Sequence, residues 1–199
     1  MNNTLQGRPL ATLTESFIIM THAFRALPRL KHALSSSTLS KQQEERIMLA
    51  VTQVNGCALC SYAHTRMALE AGLSTQEIEN MLQGQIEALE EDLPALMFAQ
   101  HYADTRGHPT EKSLKRLKEL YGSSQAKAII SAIQVIMFGN AYGIPMGSLL
   151  GRIKHEKKHI DNRSSLLYEL LMLILLIPYI PIAFIVAIVL EILRKPILS

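Results

Sequence analysis

Apolar positions recur along most of the chain at steps of three and four residues. No run alternates apolar and polar side chains between Asn-Gly or Asp-Gly turns, so the pattern predicts helices and no strands. In "EERIMLAVTQV", Ile47, Val51 and Val54 form one stripe, and Ser40 with Gln43 just upstream reads as a capping box. Ser74 with Glu77 reads as a second box ahead of "IENML", placed after Gly72, which suits the end of the preceding helix. Asp92 followed by Pro94 suits the start of "ALMFAQHYADTRG". Thr110 opens "EKSLKRLKELYG", which Gly122 is expected to close; "SQAKAIISAIQVIMFGNAYG" then follows as a long apolar helix for the centre of the fold.

Near the C-terminus the pattern changes character. Residues 170–190, "LLMLILLIPYIPIAFIVAIVL", are 21 in succession without a charge. As a helix they would extend about 31 Å, enough for a hydrocarbon core ~30 Å thick. They also lack the polar face of a soluble amphipathic helix. Three arrangements are compatible with them: a span kinked at Pro178 and Pro181, a shallow hairpin turning at "IPYIP", or a helix packed in an oligomer. Ala183 and Ala187 offer a small-residue face to a neighbouring helix. The expected organisation is an all-α domain over residues 1–162 followed by a C-terminal hydrophobic membrane-anchor segment, helix or helical hairpin, over 163–199. Removal of that segment is expected to leave a soluble, folded head. Arg152, Lys154, Lys157, Lys158 and Arg163 precede the apolar run and only Arg194 and Lys195 follow it, which predicts a membrane-associated protein with its domain on the cytoplasmic side.

Composition narrows the chemistry. A net charge of +3 over 199 residues leaves no footprint for nucleic acid. Two cysteines cannot make a disulfide scaffold and no signal peptide opens the sequence, so a reducing compartment is expected. Both cysteines fall in "VNGCALCSYAH". Asn55-Gly56 predicts a helix break, with Asn55 capping the next helix and Cys57 in its first turn. Steps of three and four then place Cys57, Cys60 and His64 on one face. Such a trio is a buried stripe, a zinc clip or a redox pair. Zinc needs a fourth ligand, and no second CxxC accompanies this one; the remaining histidines, at 22, 32, 101, 108, 155 and 159, are spread along the chain. A thiol near a helix start favours the thiolate, and the spacing lets two sulfurs meet in a disulfide.

With Glu45 included, the chain spells Glu45-x11-Cys57-x-x-Cys60-x-x-x-His64. That pattern, between "EERIMLAV" and "HTRMALEAGLSTQEI", resembles the AhpD-like alkylhydroperoxidases of the carboxymuconolactone decarboxylase superfamily. The likeness is strong over residues 40 to 80. It is looser from about 15 to 150, where "FRALPRLKHAL" and "MFGNAYGIPMG" have counterparts, and it stops near 155. The resemblance implies an all-helical homo-oligomer that reduces peroxides by cysteine oxidation, with no bound cofactor or metal. An external dithiol, protein or lipoyl, would reduce it again. By residue match Cys60 is the peroxidatic nucleophile and Cys57 the resolving thiol. His64 is the nearest base for Cys60, and Glu45 orients that imidazole or relays its proton. The helix end by itself would favour Cys57; a positioned base outweighs it, because the helix-end contribution is only ~0.3–1 kcal/mol when exposed. Three alternatives stand beside this one: a non-peroxidatic disulfide oxidoreductase, a carboxymuconolactone-decarboxylase-type enzyme, and a non-catalytic membrane-associated assembly protein. Asn140 and Tyr142 read as helix-end polar residues in preference to pocket-lining ones, and His22 as a packed or surface histidine.

Overall fold

The computed structural model describes residues 9–85, 92–193 and 195. Seven helices follow one another: α1 Leu13–Ser35, α2 Lys41–Asn55, α3 Ala58–Glu70, α4 Thr75–Leu82, α5 Leu93–Asp104, α6 Glu111–Ile153 and α7 Leu166–Ile192. A 3₁₀ turn at Lys157–His159 separates the last two, and there is no strand among the described residues. The all-α expectation therefore holds.

The expected helix starts are present, with different side-chain partners. The Ser40 and Ser74 hydroxyls accept from the backbone N–H groups of Gln43 and Glu77. The return half of each box is missing, because buried partners attract those side chains more strongly than an exposed backbone amide does. The Gln43 amide donates to Asp92, Arg46 donates to Glu77 at 2.7 Å, and Arg46 also donates to Asp92 at 2.9 Å. Asp92 accordingly makes no side-chain cap on α5; its carboxylate ties α2 to the start of α5 instead. A reciprocal box that the pattern did not flag, Thr12 with Glu15, opens α1.

The centre of the molecule is α2, whose ten residues from Gln43 to Thr52 are all buried. Ile47, Leu49 and Val51 of α2 pack in one core with Leu96 of α5 and Ile129 and Ile133 of α6. The sequence places a helix end at Gly122. The structure makes it a corner within α6, where Gly122 adopts φ 71° and ψ 167°, a conformation a glycine reaches without a Cβ penalty.

The apolar run forms one helix through both Pro178 and Pro181, so the hairpin is not adopted. α7 is docked. Glu169, Met172, Leu176, Tyr179, Ala183 and Ala187, spaced three or four apart, form its inner face, and Met172, Leu176, Tyr179 and Ala183 share a second apolar cluster with Met20, Ala141 and Tyr142. Tyr179 meets Phe17 edge-on at 5.1 Å, and Phe184 meets Phe24 at 5.8 Å. Arg152 of α6 pairs with the fully buried Glu169 at 2.9 Å. Near the other end, the buried Arg25 and its neighbour Arg29 reach Glu191 at 2.7 and 2.6 Å. Among the described residues two helices, α6 and α7, are long and apolar enough to cross a membrane; the apolar window of α6 is 67% buried inside the protein, and that of α7 only 11%.

Candidate active site

The break between α2 and α3 is tighter than the sequence suggests. Asn55 is the last residue of α2, and Gly56 ends it in the left-handed conformation (φ 72°, ψ 36°) with its N–H on Thr52 O. No residue is left over for Asn55 to cap α3. Cys57 does so itself: it is the N-cap, and its Sγ accepts from the Cys60 N–H at 3.2 Å. Cys57 and Cys60 are joined as a disulfide with their Cα atoms 5.2 Å apart, within the usual range. The two sulfurs are not equivalent in exposure. Cys57 is wholly buried, and Cys60 retains 7% of its surface.

The far wall of this site comes from α6, a contribution the CxxC spacing could not reveal. Glycines recur there every fourth residue, at 139, 143 and 147, so one face of the helix is bare backbone. Cys60 Sγ lies 3.4 Å from the Gly139 carbonyl oxygen. A Cβ on Gly143 would come within 2.7 Å of Cys60 Sγ and 2.9 Å of Cys57 Sγ, and one on Gly147 would touch Leu59 at 3.4 Å. Gly143→Ala is therefore expected to push α3 off α6. Overpacking of this kind costs about 1–3 kcal/mol, and the site should lose reactivity at least tenfold while far-UV circular dichroism stays helical. An unchanged rate of disulfide formation in that variant would show that α6 does not set the site.

Glu45 and His64 meet, as the resemblance implies. Glu45 is fully buried on α2, and its Oε2 lies 2.8 Å from His64 Nδ1 on α3. Its other oxygen is 3.0 Å from Lys41 Nζ, one turn back on α2, a partner that sequence reasoning missed. The signal was an ordinary i, i+4 Lys/Glu pair, which on most helices is a surface feature. Burial pushes the Glu45 carboxyl up, but the hydrogen bond from His64 and the Lys41 ammonium outweigh it and hold the group below its ordinary value. An ionised Glu45 fixes the tautomer. His64 must present N–H from Nδ1, which leaves Nε2 as the basic nitrogen, four residues along α3 from Cys60.

Other singled-out residues find structural places. Asn140 and Tyr142 are not helix-end residues: both are buried in the middle of α6. Asn140 Oδ1 accepts from the Thr52 hydroxyl at 3.1 Å, clamping α6 to α2 five residues before Cys57. Tyr142 packs on Phe138 with ring centroids 5.1 Å apart. His22 is half-buried, and burial together with Arg25 lowers its pKa. On the adjoining face of α6, Asn55, Met137, Asn140 and Ile144 line a cavity of about 120 Å³.

Residues 21–103 match the family model of the carboxymuconolactone decarboxylase family, the superfamily of the AhpD-like proteins. The matched stretch runs from within α1 to the end of α5 and holds Lys41, Glu45, Cys57, Cys60 and His64. The α6 glycines and α7 lie outside it. No curated protein and no solved structure matches the chain.

Proposed function

We propose, from the premise that residues 21–103 carry the fold of the carboxymuconolactone decarboxylase family with a cysteine pair in it, that the protein is a thiol-dependent peroxidase. The observation that carries this reading is the Cys57–Cys60 disulfide on the helix whose partly buried His64 pairs with the fully buried Glu45. In the reduced protein His64 Nε2 takes the Cys60 proton, and the thiolate attacks one oxygen of a hydroperoxide. An S–O bond forms, the O–O bond breaks, and the alcohol or water leaves with the proton that His64 returns. Cys60 is then a sulfenic acid. The Cys57 sulfur attacks it, the disulfide closes, and water departs. An external dithiol, protein-borne or lipoyl, supplies the two electrons that reopen the pair. No metal or organic cofactor takes part. α7 holds the domain at a membrane, on the cytoplasmic side, where reductant is abundant. The chain assembles as a homo-oligomer.

Titrating the reduced protein with hydrogen peroxide and with an alkyl hydroperoxide tests the reading. Mass spectrometry should show loss of two hydrogens and a single Cys57–Cys60 cross-link within each chain. Two thiols that survive excess peroxide would refute it. A disulfide oxidoreductase that does not act on peroxide shares only the last step, and would form the disulfide from a partner disulfide alone.

His64 and Glu45 should act on one proton. His64→Ala is expected to slow peroxide attack at neutral pH by about 10²–10⁴-fold, the usual worth of a positioned base. Glu45→Gln should produce a smaller loss, and the double variant should be little worse than His64→Ala alone. Because the carboxyl of Glu45 is held below its ordinary value, it stays ionised through the neutral range. The advantage of the wild type should therefore shrink at alkaline pH, where Cys60 ionises unaided. Stopped-flow rates across pH decide the matter; strictly additive losses would make Glu45 a structural residue only.

A further inference from the structure

α7 has two unlike faces. Glu169, Met172, Ala183 and Ala187 are buried against α1 and α6. The rest of its circumference is exposed Leu, Ile, Val, Phe and Pro, Ile174 and Ile177 among the most exposed at 61% and 75%. Between residues 170 and 190 the one polar side chain is Tyr179, which turns inward onto Phe17. Exposed lysines stand at both ends: Lys154, Lys157 and Lys158 before the helix and Lys195 after it.

The direction of packing limits how this face can meet lipid. α7 runs alongside α1 and in the same sense. Tyr168 donates to Ala11 O at 2.9 Å, Tyr179 meets Phe17, Phe184 meets Phe24, and Glu191 pairs with Arg25 and Arg29. A docked α7 that crossed a bilayer would carry α1 in with it, and with α1 Glu15, His22, Arg29 and Lys31. Charged groups at that depth are expensive unless they face a bundle or a water-filled cavity. A flat helix avoids the problem. The prolines agree: Pro178 and Pro181 leave the carbonyls of Ile174 and Ile177 without helical donors, and both prolines are on the exposed side. Headgroup water reaches such carbonyls, whereas the middle of a bilayer offers them nothing.

We propose that α7 is an interfacial helix. It stays docked on α1 and α6, lies in the plane of one leaflet with its outer face among the acyl chains, and has its lysine-bearing ends on anionic headgroups. Both ends of α7 then lie on the same side of the membrane as the redox site. The inference rests on the reading that α7 meets lipid, and the occupant is the bilayer because the outer face carries no polar group with which a protein partner would set register, while lysines flank it at both ends.

Two reporter variants of the full chain, Asn162→Cys and Lys195→Cys in a background with Cys57→Ser and Cys60→Ser, test the topology. Sealed membrane vesicles of each orientation are treated with a membrane-impermeant maleimide. Both positions should react from the domain side and neither from the opposite side. In a parallel flotation assay the wild type should bind phosphatidylglycerol vesicles better than phosphatidylcholine vesicles, the difference narrowing in high salt. Labelling of the two ends from opposite sides would overturn the flat arrangement and leave the membrane reading intact. Failure to float with either vesicle, together with self-association that depends on Ile177 and Ile185, would assign the face to a second copy and overturn both.

Discussion

Cys60→Ser is expected to abolish peroxide consumption and to leave nothing that a sulfenic-acid trap such as dimedone can capture. Cys57→Ser should behave in the opposite way: one equivalent of peroxide per chain is consumed, a trappable sulfenic acid accumulates, and turnover stops there. The assignment follows from two differences between the sulfurs. Cys60 is the one with surface left for a peroxide to reach, 7% against none for Cys57. Cys60 also stands one turn from the basic nitrogen that Glu45 and Lys41 orient. The effect should be complete because a serine hydroxyl is a negligible nucleophile toward the O–O bond at neutral pH, and the one cysteine left in Cys60→Ser, Cys57, is wholly buried. Sulfenic acid trapped in Cys60→Ser and absent from Cys57→Ser would show that the helix cap, and not the base, selects the reacting thiol.

Truncation after Asn162 should strongly destabilise the rest of the protein, contrary to what the apolar pattern alone predicts. Read as a sequence, residues 163–199 look detachable. In the structure α7 closes a cluster that includes Met20 at 0% and Tyr142 at 5% exposure, with Phe17, Phe24 and Phe138 packed against it. Returning a large apolar side chain to water costs about 1.5–3 kcal/mol when its burial is complete. Four or five such groups, about half re-exposed, amount to roughly 3–8 kcal/mol, a large part of the 5–15 kcal/mol by which domains are stable. The ion pairs weigh less, since Arg25 and Arg152 would be rehydrated once α7 is gone. Thermal melts followed by circular dichroism should show a midpoint lowered by ten degrees or more, or no cooperative transition at all. A truncated protein that melts with the full chain would restore α7 to the status of a separable tail.

How much of this was legible depended on the range of the interaction involved. Helix content, the starts at Ser40, Ser74 and Thr110, and the pairing of Glu45 with His64 follow from local spacing plus one familiar four-residue pattern, and all are present. Errors arose where a residue had two uses. Gln43, Glu77 and Asp92 were assigned to caps, and a buried contact with Arg46 or with one another claimed their side chains instead. Asn55 stands two residues before the true cap, because the chain spends only Gly56 and Cys57 between the two helices, the first ending α2 and the second capping α3. The glycines of α6 were visible only as part of a resemblance; their purpose appears when a helix more than eighty residues away lies against the two sulfurs. Docking of α7 was hidden for the same reason, since an apolar run looks alike to lipid and to a neighbouring helix.

Helix capping and redox poise meet at Cys57. An external thiol that opens the disulfide at the more accessible Cys60 makes Cys57 the departing thiolate, and that sulfur already faces the Cys60 N–H at 3.2 Å. In the intact disulfide the amide meets a weak acceptor; as the bond breaks it meets the developing Cys57 anion, and a hydrogen bond to a charged group is worth about 1.5–3 kcal/mol. At tenfold for each 1.4 kcal/mol, this corresponds to roughly 10–150-fold in the rate of thiol attack at Cys60. Burial of Cys57 pulls the other way, by raising the cost of the thiolate. The cap thus favours opening of the pair at Cys60, and acid quenching of a reaction with a small thiol should trap the mixed disulfide on Cys60 and leave Cys57 free.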